Sequence, residues 1–124
     1  MAEAIARGEA WDVIDPLSAG IAPLGFVVDE TLDTLLANGF SIEDLKSKPL
    51  DQALWKSANV VINMTGRPKE IAFRWFPAHA EVEEWSVRDP YGEGRAFYQE
   101  ICEEIQGRVQ ELAERLRGLQ TRAV

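Results

Sequence analysis

From Arg95 to about Gly118, the apolar residues Phe97, Ile101, Ile105, Val109, Leu112, Leu116 and Leu119 follow one another at spacings of four, four, four, three, four and three. Those steps trace one stripe, which predicts a long amphipathic helix packed on a sheet. The run "NVVINM", residues 59 to 64, is nearly continuous and rich in β-branched residues. That is the pattern of a strand buried on both faces of a parallel sheet. Residues 11 to 14 (Trp-Asp-Val-Ile) are predicted as a short strand closed by Asp15-Pro16, and Glu83 to Val87 as a weaker one.

Between these lie helical patterns. Residues 1 to about 8 favour the end of a helix that Gly8 stops. "SAGI", residues 18 to 21, is a tight small-residue segment that "APLG" continues as a loop. Asp29 is predicted to cap a helix that buries Leu32, Leu35 and Leu36 and ends near Gly39. Ser41 and Asp44 resemble a capping box for a short turn, and Leu50 to Ser57 reads as a short helix carrying Leu54 and Trp55. Strands alternating with helices predict an α/β fold, a small parallel sheet flanked by helices.

Length and charge narrow the picture. The 124 residues are expected to form one domain, residues 1–124, with a core that needs neither disulfide nor metal. The net charge of −8 excludes binding nucleic acid or an anionic membrane through bulk electrostatics, so any anion site must be local. One cysteine, Cys102, excludes an internal disulfide and a thiolate zinc cage and fits a cytoplasmic protein. No run of about 18 apolar residues is present to cross a bilayer, and the first residues lack the pattern of a signal peptide.

Four features invite chemistry. Cys102 and Arg108 form a literal C-x5-R, the spacing of cysteine-dependent phosphatases. That chemistry needs free backbone N–H groups around a low-pKa thiolate. Here the match falls inside a long helix and Glu103 and Glu104 follow the cysteine, so Cys102 is read as packing. Arg67 and Lys69 of "GRPKE" follow the apolar strand, where open parallel sheets bind ligands; they are either an anion contact or a solvated basic turn. His79, the single histidine, has no partner at a useful spacing and reads as a loop residue. Asp89 opens an Asp-Pro turn, yet it also lies between a strand end and the longest helix, where sites form.

Several separated pieces, in order, resemble one family. They are "MAEA" at the start, "SAGI" at 18 to 21, "LLANGFSIEDLKSKPL" at 35 to 50, "SANVVINM" at 57 to 64 and "EEWSVRDPYGEGRAFYQEICEEIQGRV" at 83 to 109. Together they are similar to the low-molecular-weight protein tyrosine phosphatases, which include the thioredoxin-coupled arsenate reductases. The resemblance implies a three-layer sandwich with four parallel strands in the order 2-1-3-4. It implies phosphomonoester hydrolysis through a phosphocysteine, with no cofactor. It also implies roles: Asp89 as general acid, Ser18 as a serine that supports the phosphate loop, and Tyr91 with Arg67 and Lys69 near the substrate entrance.

In that family the first strand leads into a C-x5-R-S phosphate loop, and residues like "MAEA" come directly after it. The chain is therefore expected to lack the first strand and the nucleophile loop. It is expected to be inactive as given and to meet a phosphorylated substrate only if that loop is restored. An internal methionine taken for the start is one reading; a non-catalytic binding or regulatory module is the alternative. Arsenate reduction is the least favoured, because "TGRPKEIAFRWFP" holds none of the extra cysteines that branch needs. The absent strand would lie centrally, between residues 11 to 14 and 59 to 64. A homodimer or larger assembly filling that gap, or a closed-up three-stranded sheet, is the expected consequence.

Overall fold

The computed structural model describes residues 1–21, 25–79 and 81–122, the last three without their side chains; most of the loop expected at 22 to 25 therefore lies outside the described residues. The element order is α1 (Ala2–Glu9), α2 (Asp29–Ala37), α3 (Gln52–Ser57), β1 (Val61–Asn63), α4 (Lys69–Ala72), β2 (Val82–Glu84) and α5 (Arg95–Arg122). Strands β1 and β2 pair in parallel, with Val61 opposite Val82 and Asn63 opposite Glu84. Helices flank this small sheet, the α/β arrangement that the alternation of elements predicts.

Helix α5 organises the core. Its stripe packs Ile101, Ile105, Val109 and Leu112 against Ala4, Ile5 and Ala6 of α1 and against Leu35, Phe40 and Trp85. A separate aromatic cluster forms where Trp55 of α3 meets Phe73 and Phe76, at centroid distances of 4.9 and 5.3 Å. Asp51 caps α3, its carboxylate accepting from the Leu54 N–H at 2.8 Å.

Several local expectations are corrected. Residues 11 to 14 are not a strand. After α1 the chain keeps turning: Ala10 donates to Ala6 O at 2.9 Å, and Val13 and Ile14 both donate to Ala10 O, at 3.1 and 2.8 Å. Arg117 clamps this turn to α5 with a two-pronged contact to Asp12, 2.8 Å on each arm. The extended backbone that does pair lies later, at a parallel bridge between Gly20 and Pro49. Among the described residues the sheet thus has two strands, and Gly20 donates to Lys48 O while accepting from Leu50 N–H beside it. The second strand is shorter than expected, ending at Glu84 rather than Val87.

The position before α2 is occupied by Val28, with no side-chain cap, and Asp29 is the first helical residue. Leu36 faces solvent while Leu35 is buried. Ser41 accepts from the Glu43 N–H at 3.2 Å, but Asp44 sits in the left-handed region at φ 59° in a turn instead of closing a capping box.

Candidate active site at the carboxyl end of the sheet

Parallel strands deliver their following loops to one end of a sheet, where a cluster of polar groups can converge. Here β1 ends in Asn63, a polar residue that is almost completely buried. Such an amide is costly unless bonded, and Asn63 is fully engaged. Its Nδ2 donates to Arg67 O and to Glu84 Oε2, each at 2.8 Å. Its Oδ1 accepts from the Thr65 N–H at 3.0 Å and from Thr65 Oγ1 at 2.7 Å. The Arg67 N–H in turn donates to Thr65 Oγ1 at 3.1 Å, and Gly66 supplies the positive φ of 76° that the tight loop requires. One buried side chain therefore fixes the loop that carries Arg67 and leads into Lys69 at the start of α4, and ties it to the end of β2 through Glu84.

Beyond β2, Trp85 is buried and donates its N–H to Asn63 O at 3.0 Å. The chain then exits to Asp89, whose Oδ1 accepts from the Tyr91 N–H at 3.0 Å. Pro90 O accepts from the Glu93 N–H at 2.9 Å, and Gly92 takes φ 84° to complete the turn. The carboxylate is thus a turn former, and it is also exposed at the sheet end. Tyr91 presents its ring to solvent. The Arg88 guanidinium lies over the Phe97 ring at 4.4 Å, fastening the start of this loop to α5.

Tyr98, on the first turn of α5, is buried near this loop. Burial pushes its phenol above the ordinary 10.0, and the charges of Glu30 and Asp89 and the Tyr91 phenol push the same way. The sequence pattern does not single out Tyr98, since it lies off the four-step stripe. Asn63 does carry a signal: it is an amide flanked on both sides by apolar residues, Ile62 and Met64, whereas Asn59 opens the run.

Ser18 occupies a different setting. Its Oγ donates to Glu3 Oε1 at 3.1 Å. Glu3 is buried on α1, paired with Arg7 at 2.9 Å and near Lys48 at 3.7 Å. Arg7 also reaches Glu43 O at 2.5 Å. Ser18 is therefore part of a polar knot around α1, while Asp89, Tyr91, Arg67 and Lys69 belong to the two loops at the sheet end. Nothing in the sequence marks Glu3, because a lone glutamate near a helix start is usually solvated.

Cys102 sits within α5 with no solvent exposure. Burial is the main cause that raises its thiol above the ordinary 9.0, with Glu103 and Glu9 adding to it. A buried, protonated thiol in a helix whose N–H groups are already bonded has neither the charge nor the anion cradle of a phosphatase nucleophile. His79 donates from Nε2 to Ala58 O at 2.7 Å and accepts the Glu81 N–H at Nδ1, with its ring edge-on to Trp55. It braces a loop. Among the described residues no group of histidines, cysteines and carboxylates is arranged to hold a metal ion.

A pH dependence follows from the two raised groups. The folded state holds the Cys102 and Tyr98 protons at pH values where the unfolded chain has released them. Stability is therefore complete at neutral pH and declines as pH rises through the ordinary values of 9.0 and 10.0. Thermal melts taken from neutral pH to about pH 10 should show the midpoint falling, with a shallower fall in Cys102→Ala. An unchanged slope in that variant would remove the cysteine from the account.

The family model for low molecular weight phosphotyrosine protein phosphatases matches residues 1–121. The chain belongs to that family. It is 28% identical over 117 residues to Arsenate reductase 1 of Bacillus cereus, covering 92% of this chain and 84% of that protein. It is 27% identical to a probable low molecular weight protein-tyrosine-phosphatase, EpsP, of Ralstonia nicotianae, covering 96% of this chain and 88% of the relative. The solved low molecular weight protein tyrosine phosphatase of T. tengcongensis superposes with a TM-score of 0.83 at 25% identity, over 93% of this chain and 88% of that one. An arginine phosphatase, YwlE, shares the fold at a TM-score of 0.78 and 24% identity, over 94% of this chain and 86% of its own. Family membership gives the sheet-end loops their context.

Proposed function

We propose that this chain supplies the general-acid side of a phosphomonoesterase site, with Asp89 as the proton donor, and that these 124 residues alone do not complete a turnover. The observation that carries the reading is the position of Asp89. It is exposed, held by the Tyr91 N–H, and set on the loop that leaves the carboxyl end of β2. Cleavage of a phosphomonoester leaves an alkoxide or phenoxide that needs a proton. A positioned carboxyl group meets that need and contributes about 10²–10⁴-fold.

The larger contributions come from a nucleophile and from N–H groups aimed at the phosphoryl oxygens. The single thiol of the chain is buried within α5 and cannot serve as that nucleophile. Ser18 is engaged by Glu3. Tyr91, Arg67 and Lys69 are exposed at the sheet end, and in this reading they line an entrance for a phosphorylated substrate. The loop after β1 contains no cysteine, which disfavours thioredoxin-coupled arsenate reduction despite the similarity to an arsenate reductase.

The test is direct. The purified 124-residue chain, incubated with p-nitrophenyl phosphate, should release nitrophenol no faster than buffer. Turnover above the buffer rate that co-purifies with the chain through a further chromatographic step would show that a nucleophile is present after all and overturn the second half of the reading.

A further inference from the structure

The segment from Arg67 to Trp75 stands apart from the rest of the surface. It carries Arg67, Lys69 and Arg74 against one acid, Glu70, a net charge of +2. The whole chain is −8, so everything outside this segment carries −10. Among the described residues, none of the three cations enters an ion pair, although Arg7, Lys48, Arg95, Arg115 and Arg117 all do. Lys46, Lys56, Arg88 and Arg108 also stand outside those ion pairs, so what sets this segment apart is that three such cations fall between Arg67 and Arg74.

Apolar surface accompanies them. Trp75 is 77% exposed and Ile71 50% exposed, four residues apart along α4 and the turn that follows it. The Arg74 guanidinium lies over the Trp75 ring at 5.2 Å. This exposure is not the slackness of a loose loop, because the backbone beneath is pinned at both ends. Arg67 is held through its O and N by Asn63 and Thr65. Trp75 O accepts from Gln52 Nε2 at 3.1 Å, and Trp55 anchors the segment through tilted ring contacts with Phe73 and Phe76 and by donating its indole N–H to Pro77 O at 2.9 Å. Phe73 and Phe76 turn inward on that anchor, while Ile71 and Trp75 turn out.

We propose that the Arg67–Trp75 segment is a docking surface for an acidic protein segment bearing one large apolar side chain. The apolar residue would lie against Trp75 and Ile71, and the flanking carboxylates would meet Arg67, Lys69 and Arg74. Charge complementarity chooses this partner. A short acidic peptide meets only the local positive field, which falls off within about 10 Å at moderate salt. An anionic membrane would face the −10 of the remaining surface across a broad plane, with three cations to offset it. A held aromatic beside guanidinium groups is also the composition that dominates protein recognition sites. The segment begins at the carboxyl end of β1, the end of the sheet from which Asp89 also emerges, but the docking surface does not require catalysis.

The probe is a fluorescein-labelled peptide, EEDEFEDEE, followed by anisotropy against the intact 124-residue chain. It carries no phosphate, so its binding and the role of Asp89 succeed or fail separately. Saturable binding that weakens as salt is raised is expected. The charge reversals Arg67→Glu, Lys69→Glu and Arg74→Glu combined should weaken it at least about tenfold, and Trp75→Ala by about tenfold. Trp11→Ala, which removes an equally exposed indole elsewhere, should leave it unchanged. All of these side chains but Lys69 and Arg67 lie outside the two sheet-end loops, and far-UV circular dichroism checks each variant. No saturable binding, equal binding of KKRKFKRKK, or equal binding by the Trp75→Ala chain would overturn the proposal. Association with phosphatidylserine vesicles in place of the peptide would overturn it in favour of a membrane surface.

Discussion

Asp89→Asn should lower phosphatase turnover by about 10²–10⁴-fold on a substrate with a poor leaving group, once a nucleophile is available. The test uses a chimera in which the strand and C-x5-R-S loop of a family relative precede Met1. The size of the loss should depend on what leaves. Phenyl phosphate expels a basic phenoxide that needs a proton during bond cleavage. The p-nitrophenolate ion is stable enough to depart unaided, so its ester should lose far less. The variant keeps the turn, because an amide oxygen accepts the Tyr91 N–H as a carboxylate oxygen does. A loss of equal size on both esters would mean that Asp89 positions the loop and does not transfer the proton. An unimpaired variant would end the general-acid reading altogether.

Ile101→Ala should cost about 2–5 kcal/mol, while Leu119→Ala should change stability by less than about 0.5 kcal/mol. Both residues belong to the same apolar stripe on α5, and periodicity treats them alike. Ile101 is 2% exposed, set among the α1 and α5 side chains of the main core. Removing three carbons there leaves a cavity that close-packed neighbours fill only in part. Leu119 is 58% exposed near the end of the helix, so its truncation removes little contact. For a domain whose total stability is about 5–15 kcal/mol, the first change is a large fraction and should lower the melting midpoint by about 10 °C or more. Denaturant titration of the two variants in parallel checks the pair. Equal costs would mean that α5 buries its stripe over its whole length, contrary to the packing seen here.

The elements that were legible along the chain are those whose reason is local. The stripe of α5 and the β-branched run of β1 are written in spacing. Family membership was legible too, because the order of "MAEA", "SAGI", "NVVINM" and "DPYG" survives without any knowledge of contacts. So was the Asp89 turn: an Asx residue before proline favours a turn closed through its own side chain, as Asp89 does with the Tyr91 N–H.

What spacing cannot carry is the choice between two locally acceptable states. Trp11 to Ile14 has the composition of a strand, yet it turns: Val13 and Ile14 bond back to Ala10 O, and Arg117 from a helix more than a hundred residues later holds Asp12. Leu35 and Leu36 are adjacent leucines, and only the position of α5 makes one buried and one exposed. Asn63 in an apolar run looks like a fault until Glu84, Thr65 and Arg67 surround it, and those partners come from another strand and from the folded loop. Local propensities differ by fractions of a kcal/mol per residue, whereas burial and the satisfaction of buried polar groups act in units of about 1–3 kcal/mol. The chain's own pattern therefore names the elements and the family. Packing decides which of those patterns becomes a strand, which leucine faces inward, and which side chains stand free at the end of the sheet.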